Sequence, residues 1–134
     1  MYLIDTNIWL ERLLDQAKSQ EVGLFLDSFP SDQLLVTDFT LHSIGIVLNR
    51  LDQEEAFLRF VEDVFIDGAV TLVSVELSEM QRLVDTIRKF NLDFDDAYQY
   101  VAAEKSNASI VSFDNDFDRT ERGKRSPQEL IETG

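Results

Sequence analysis

The sequence has no cysteine, which excludes a disulfide framework, a thiolate metal site and a cysteine nucleophile. Its one histidine, His42, excludes a His-rich zinc site and argues against a Ser-His-Asp triad. No apolar run reaches the roughly 18 residues that a membrane span needs. Only two prolines and five glycines occur, with no linker rich in either, so one continuous domain over 1–134 is expected. The opening Met1-Tyr2-Leu3-Ile4-Asp5 lacks the basic and long apolar regions of a signal peptide, and a cytoplasmic location is expected. Bases are scarce: 12 Lys+Arg against 26 Asp+Glu give a net charge of −14. Such a surface repels nucleic acid at long range, which counts against a general DNA- or RNA-binding module but not against a cation site. Whatever chemistry exists must come from carboxylates, hydroxyls, amides or a cofactor they hold.

What is present is a 44% hydrophobic chain with short apolar runs alternating with segments of helical period. Tyr2-Leu3-Ile4 reads as a buried strand, followed by a helix carrying Ile8, Trp9, Leu13 and Leu14. Residues 21–29 form a second helix, stopped at Pro30. Leu34-Leu35-Val36-Thr37 reads as a strand. The helix over 39–51 is apolar nearly all round, as expected of one buried between elements, and His42 reads as a packed residue within it. Residues 53–66 are amphipathic, with Phe57, Phe60, Val61, Val64 and Phe65 forming a core stripe or a dimer face. Asp67-Gly68 turns the chain into a strand over 70–75, rich in β-branched residues. Helices over 77–90 and about 93–106 precede the strand Ile110-Val111-Ser112-Phe113. Ser126-Pro127-Gln128-Glu129 combines a capping box with proline at the first helical position, so a last helix is expected over 127–132. Four short buried strands separated by helices imply an α/β fold of three layers, α/β/α, around a mainly parallel sheet of four to five strands.

In open α/β sheets, ligands bind beyond the carboxyl ends of the strands. Asp5-Thr6-Asn7 stands at the end of the first strand here, and Asp114-Asn115-Asp116 just after the last. Asp93-Phe94-Asp95-Asp96 opens the intervening helix. Taken singly, Asp5 is explained as a helix cap, Asp93 and Asp96 as an N-cap and its partner, and Asp114–Asp116 as a turn cluster. Together they are several carboxylates without basic partners, an arrangement that a cation relieves. An all-oxygen set favours Mg²⁺ or Mn²⁺.

These motifs resemble the PIN domain family, a metal-dependent ribonuclease fold that includes the toxins of many toxin–antitoxin pairs. The resemblance rests on Tyr2-Leu3-Ile4-Asp5-Thr6-Asn7, on Asp96-Ala97, and on the stretch Ile110-Val111-Ser112-Phe113-Asp114-Asn115-Asp116-Phe117. It implies that Asp5, Asp96 and Asp114 are catalytic metal-binding acids, with Asp116 as a fourth. Asn7 and Ser112 would support them by hydrogen bonding. It further implies an RNA substrate, an antitoxin partner and a homodimer. Asp95 lies about 100° from Asp96 around the helix, so both cannot aim at one metal.

One departure stands out. The family usually carries a Glu on the helix after the second strand, near His42 or Ser43 here, yet no acid lies between Asp38 and Asp52. Asp38 could replace it only if the helix started differently or a water bridged the gap. The alternative expectation is therefore a PIN fold with weakened or lost nuclease activity, acting as a binding or regulatory partner. A phosphotransfer domain fits less well. The dehalogenase type requires a second Asp where Asn7 stands, and a receiver requires one at the end of a middle strand, which here reads Val73-Ser74-Val75-Glu76. The one basic cluster, Arg119, Arg122, Lys124 and Arg125, reads as a solvated loop or as a weak clamp for RNA phosphates.

Overall fold

The computed structural model describes residues 1–133, with side chains described through residue 132. Four strands form one sheet: β1 (Tyr2–Ile4), β2 (Leu34–Thr37), β3 (Thr71–Val73) and β4 (Ser109–Val111). Their order is β3-β2-β1-β4, and every pair is parallel. The register places Leu3 beside both Leu35 and Ile110, and Thr37 beside Val73.

Strand alternation divides the core into two. Leu3, Leu35 and Ile110 face one side, where they pack with Leu83, Tyr100, Val101 and Phe117. Ile4, Val36 and Val111 face the other, with Ile8, Phe25, Ile44 and Phe60. The first layer is built from α5 (Met80–Phe90) and α6 (Phe94–Lys105). The second uses α1 (Thr6–Leu13), α2 (Ser19–Ser28), α3 (Asp38–Arg50), α4 (Glu54–Val61) and α7 (Pro127–Thr133). The sheet is thus buried on both faces, as a parallel sheet requires. Each fully buried Leu or Ile contributes about 1.5–3 kcal/mol of transfer free energy. Among the described residues no helix is long and apolar enough to cross a membrane.

Several boundaries differ from those read in the sequence. The amphipathic stretch over 53–66 divides into α4 and a π-helical turn, Glu62–Ile66, while its Phe57, Phe60, Val61, Val64 and Phe65 all pack into the core. The helix expected from residue 77 opens as a 3₁₀ turn over Leu77–Glu79 with a reciprocal Glu76–Glu79 capping box. The last strand stops at Val111; Ser112 follows it with its backbone N–H on the Arg125 carbonyl and its hydroxyl on Asp5. Helix α3 is not apolar all round in effect. Thr40, Ile44 and Leu48 are buried, whereas His42 and Ile46 are exposed, so His42 is a surface residue rather than a packed one. At Gly68 a Cβ would collide with the carbonyl oxygens of Val64 and Asp63, so this turn accepts only glycine.

This topology positions a site. From β1 the chain adds β2 and then β3 on one side, and β4 afterwards joins the other side of β1. The topological switch point therefore lies between the carboxyl ends of β1 and β4.

Candidate metal centre

Three carboxylates meet at that switch point. One oxygen each from Asp96, Asp114 and Asp116 lies within 4.8 Å of the others. Each acid is delivered by a local cap. Asp93 is the N-cap of α6, and its Oδ1 accepts from the Asp96 backbone N–H at 2.8 Å. That bond leaves the Asp96 side chain free to point inward. Asp114 caps the 3₁₀ turn Asn115–Arg119, with Oδ1 accepting from the Asp116 N–H at 2.9 Å. The capping seen in the sequence is therefore real, and it aims the acids. Asp96 is 7% exposed, and its Oδ2 is buried without any hydrogen-bond partner. Burial, then Asp114, Asp93 and Asp5, push its carboxyl up to about 8.

Asp5 stands beside this group, held by hydrogen bonds of its own. Its Oδ1 accepts from the Thr6 N–H at 2.8 Å and from Gln99 Nε2 at 2.9 Å, and its Oδ2 accepts from Ser112 Oγ at 2.7 Å. Burial raises its pKa; these three bonds oppose the shift, and the Asp114 charge adds to it. Ser112 Oγ in turn accepts from the Asp114 N–H at 2.9 Å and from Asn7 Nδ2 at 3.3 Å. Asn7 Oδ1 accepts from the Phe113 N–H at 3.3 Å. Asn7 and Ser112 thus tie the end of β1 to the segment after β4.

The sequence reading missed the other half of this network. Gln99 is 1% exposed and also donates to Thr40 Oγ1 at 2.8 Å, while its Oε1 accepts from Thr37 Oγ1 at 2.6 Å. Thr40 Oγ1 lies 2.9 Å from Thr6 Oγ1. The available signal was a lone amide in the run Ala97-Tyr98-Gln99-Tyr100-Val101, three residues after Asp96 and hence on its face of the helix. Asp38 does not replace the missing helix acid. It begins α3 behind the Thr37 N-cap, and its Oδ1 accepts from Tyr98 O–H at 2.7 Å. Asp95 is exposed and lies outside the acid group.

The basic cluster is occupied within the protein. Arg119 donates to the carbonyls of Phe90 and Asn91 and to Asp116 Oδ1, the last at 3.2 Å. Arg122 donates to the Ala108 carbonyl and to Asn107. Lys124 pairs with Asp118 at 3.5 Å and Arg125 with Glu129 at 3.3 Å. The segment is cross-linked to its surroundings rather than being a freely solvated loop.

The fold agrees with the comparisons. The PIN domain profile matches residues 2–123. The chain belongs to the PIN domain family. Among solved structures, a PIN-fold neighbour is found in a toxin–antitoxin complex from Klebsiella pneumoniae. It is 19% identical, over 95% of this chain and 98% of the other, with a TM-score of 0.77. Mycobacterium tuberculosis VapC20, described as a sarcin–ricin loop cleaving toxin, is 17% identical over 88% and 93%, with a TM-score of 0.75. FitAcB from Neisseria gonorrhoeae is 16% identical over 96% and 99%, with a TM-score of 0.72. A search of curated proteins finds no significant match. At these identities the likeness establishes the PIN fold.

The donor set suits a hard divalent cation. It is all carboxylate, lacks histidine and thiolate, and includes one buried oxygen with no protein partner.

Proposed function

We propose that this PIN-domain chain is a Mg²⁺- or Mn²⁺-dependent endoribonuclease that hydrolyses RNA phosphodiester bonds in the cytoplasm, as the homodimeric toxin of a toxin–antitoxin pair. The observation that carries the reading is the buried Asp96 carboxylate, which meets Asp114 and Asp116 and whose Oδ2 has no hydrogen-bond partner. A buried acid without a donor is costly unless it is protonated or shares a cation.

Asp96, Asp114 and Asp116 would hold the cation, with Asp5 at the edge of the set. A bound divalent ion supplies an acidified water and neutralises charge developing on a phosphoryl oxygen. Ser112 and Gln99 fix the Asp5 carboxylate, and Asn7 anchors the Ser112 segment, so the acids are preorganised before substrate arrives. The neighbour solved in a toxin–antitoxin complex supports an antitoxin partner.

One specific observation favours a second reading, a PIN protein that binds but no longer cleaves. The helix that usually carries a glutamate in the family has no acid between Asp38 and Asp52, and its first turn meets Asp5 only through the neutral Thr37–Gln99–Thr40 network. Incubation of structured RNA with the purified protein and Mn²⁺ separates the two. Cleavage that falls to background in Asp96→Asn and Asp5→Asn supports the nuclease. Equal cleavage by wild type and both variants overturns it, and tight Mn²⁺ binding without any cleavage favours the second reading.

A further inference from the structure

The carboxyl edge of the sheet has a second half, beside β2 and β3, that the acids do not use. Here Phe94 opens α6, and its ring is 54% exposed. Tyr98 follows one turn later, its ring centroid 6.4 Å from that of Phe94 with the planes 30° apart. Phe39, at the start of α3, lies 6.2 Å from Tyr98 on the other side. Tyr98 is pinned in place: its hydroxyl donates to Asp38 and accepts from the Val75 N–H. With Asp38 and the exposed His42, these rings line an open groove of about 500 Å³. Asp96 projects from the same first turns of α6 toward β4. One helix start thus carries an acid on one flank and an exposed aromatic row on the other.

We propose that this row is a stacking subsite for an unpaired RNA base next to the scissile phosphate, a proposal that rests on the nuclease reading above. Two observations choose this occupant. An exposed ring stacked beside one held by two hydrogen bonds has the chemistry of a base platform, since every base offers a π-face. The charge argument is independent of that. The surface carries a net −14, and Arg119, Arg122, Lys124 and Arg125 are each committed to carbonyls or acids of the protein itself. Lys18 lies 4.7 Å from the centre of the Phe113 ring, next to the acid segment. Phosphate contacts therefore supply little affinity, and bases must supply the rest. Substrate selection then favours single-stranded loops over continuous duplex, because paired bases cannot reach the rings.

The test is fluorescence anisotropy with a labelled ten-nucleotide single-stranded RNA, with Ca²⁺ in place of Mn²⁺, beside the same strand carrying abasic sites. Phe94→Ala, at an exposed position that leaves the core intact, is expected to weaken binding of the normal strand on the order of tenfold. The abasic strand is expected to bind wild type as weakly as the variant binds the normal strand. Phe94→Trp restores affinity, with tryptophan fluorescence quenched on RNA addition. Binding should vary with salt by a slope of only about one, the value for one or two phosphate contacts.

Equal affinity for the abasic strand, or no loss in Phe94→Ala, overturns the proposal, as does no RNA binding at all. A change of oligomeric mass in Phe94→Ala without a change in RNA affinity assigns the row to a contact between two copies and also overturns it. Phe94-dependent binding without cleavage refutes the nuclease reading while leaving the subsite standing. Cleavage with a KM indifferent to Phe94 does the reverse.

Discussion

Gln99 Nε2 donates to Asp5 Oδ1 at 2.9 Å, joining two buried side chains that are 94 positions apart in the chain. The bond links α6 to the end of β1. The same amide reaches Thr37 and Thr40, so three elements depend on one side chain. Replacing it exposes how much of the site is preorganised.

Gln99→Leu keeps the volume but takes one partner from each of Thr37 Oγ1, Thr40 Oγ1 and Asp5 Oδ1, which keep their bonds within the Thr6–Thr37–Thr40 cluster. Each lost hydrogen bond costs about 0.5–1.5 kcal/mol. The urea midpoint should fall with an unchanged m value. Gln99→Glu keeps the acceptor for Thr37 but sets a second carboxyl against Asp5, so its loss should deepen as pH rises. A Gln99→Leu protein as stable as wild type would show that the network has no energetic weight.

Ser112 Oγ bridges Asp5 and the Asp114 backbone. Removing it in Ser112→Ala frees both acids to wander without emptying the core. Loss of such an orienting group typically costs 10–100-fold in metal affinity. Calorimetric titration with Mn²⁺ should show that decrease, and the loss of a buried partner for Asp5 Oδ2 should also lower the thermal midpoint. Unchanged Mn²⁺ affinity would mean that the acids need no such support.

The carboxyls of Asp96 and Asp5 are both raised in the folded state, Asp96 to about 8, because burial and neighbouring acids disfavour their charge. Between the ordinary value of 3.8 and those raised values, the folded protein binds more protons than the unfolded chain. Stability of the metal-free protein therefore falls as pH rises through that window. A divalent cation takes the place of the proton, so its stabilising effect should grow with pH. Thermal denaturation in a chelator from about pH 5 to about pH 8 should show a declining Tm that Asp96→Asn flattens. The same slope in wild type and Asp96→Asn would remove Asp96 as its source.

The three-layer fold was legible because Tyr2-Leu3-Ile4, Leu34–Thr37 and the strand near Ile110 are short buried runs between helical periods. The acids were legible because capping chemistry and strand ends share the same residue types, and Asp93 and Asp114 do cap. Gln99 was not, since an amide inside a helix has no local signature and its partners lie far away in sequence. The role of the basic segment was not legible either. Its partners include the carbonyls of Phe90, Asn91 and Ala108, which the sequence cannot place beside it. His42 was misplaced because helical period identifies an apolar helix but not which of its flanks the neighbours leave uncovered. The extent of the last strand was overestimated, since beyond Val111 the backbone N–H of Ser112 bonds to the Arg125 carbonyl, a partner the sequence cannot place there.

The central claim is that Asp96, Asp114 and Asp116 form one cation site with Asp5 at its edge. Anomalous diffraction from crystals soaked in Mn²⁺ tests it directly. The account predicts a single strong peak between Asp96 and Asp114, at about 2.0–2.3 Å from a carboxylate oxygen of each and within reach of Asp116. No peak at millimolar Mn²⁺, with the Asp96 Oδ2 instead bonded to a protein donor, would contradict it.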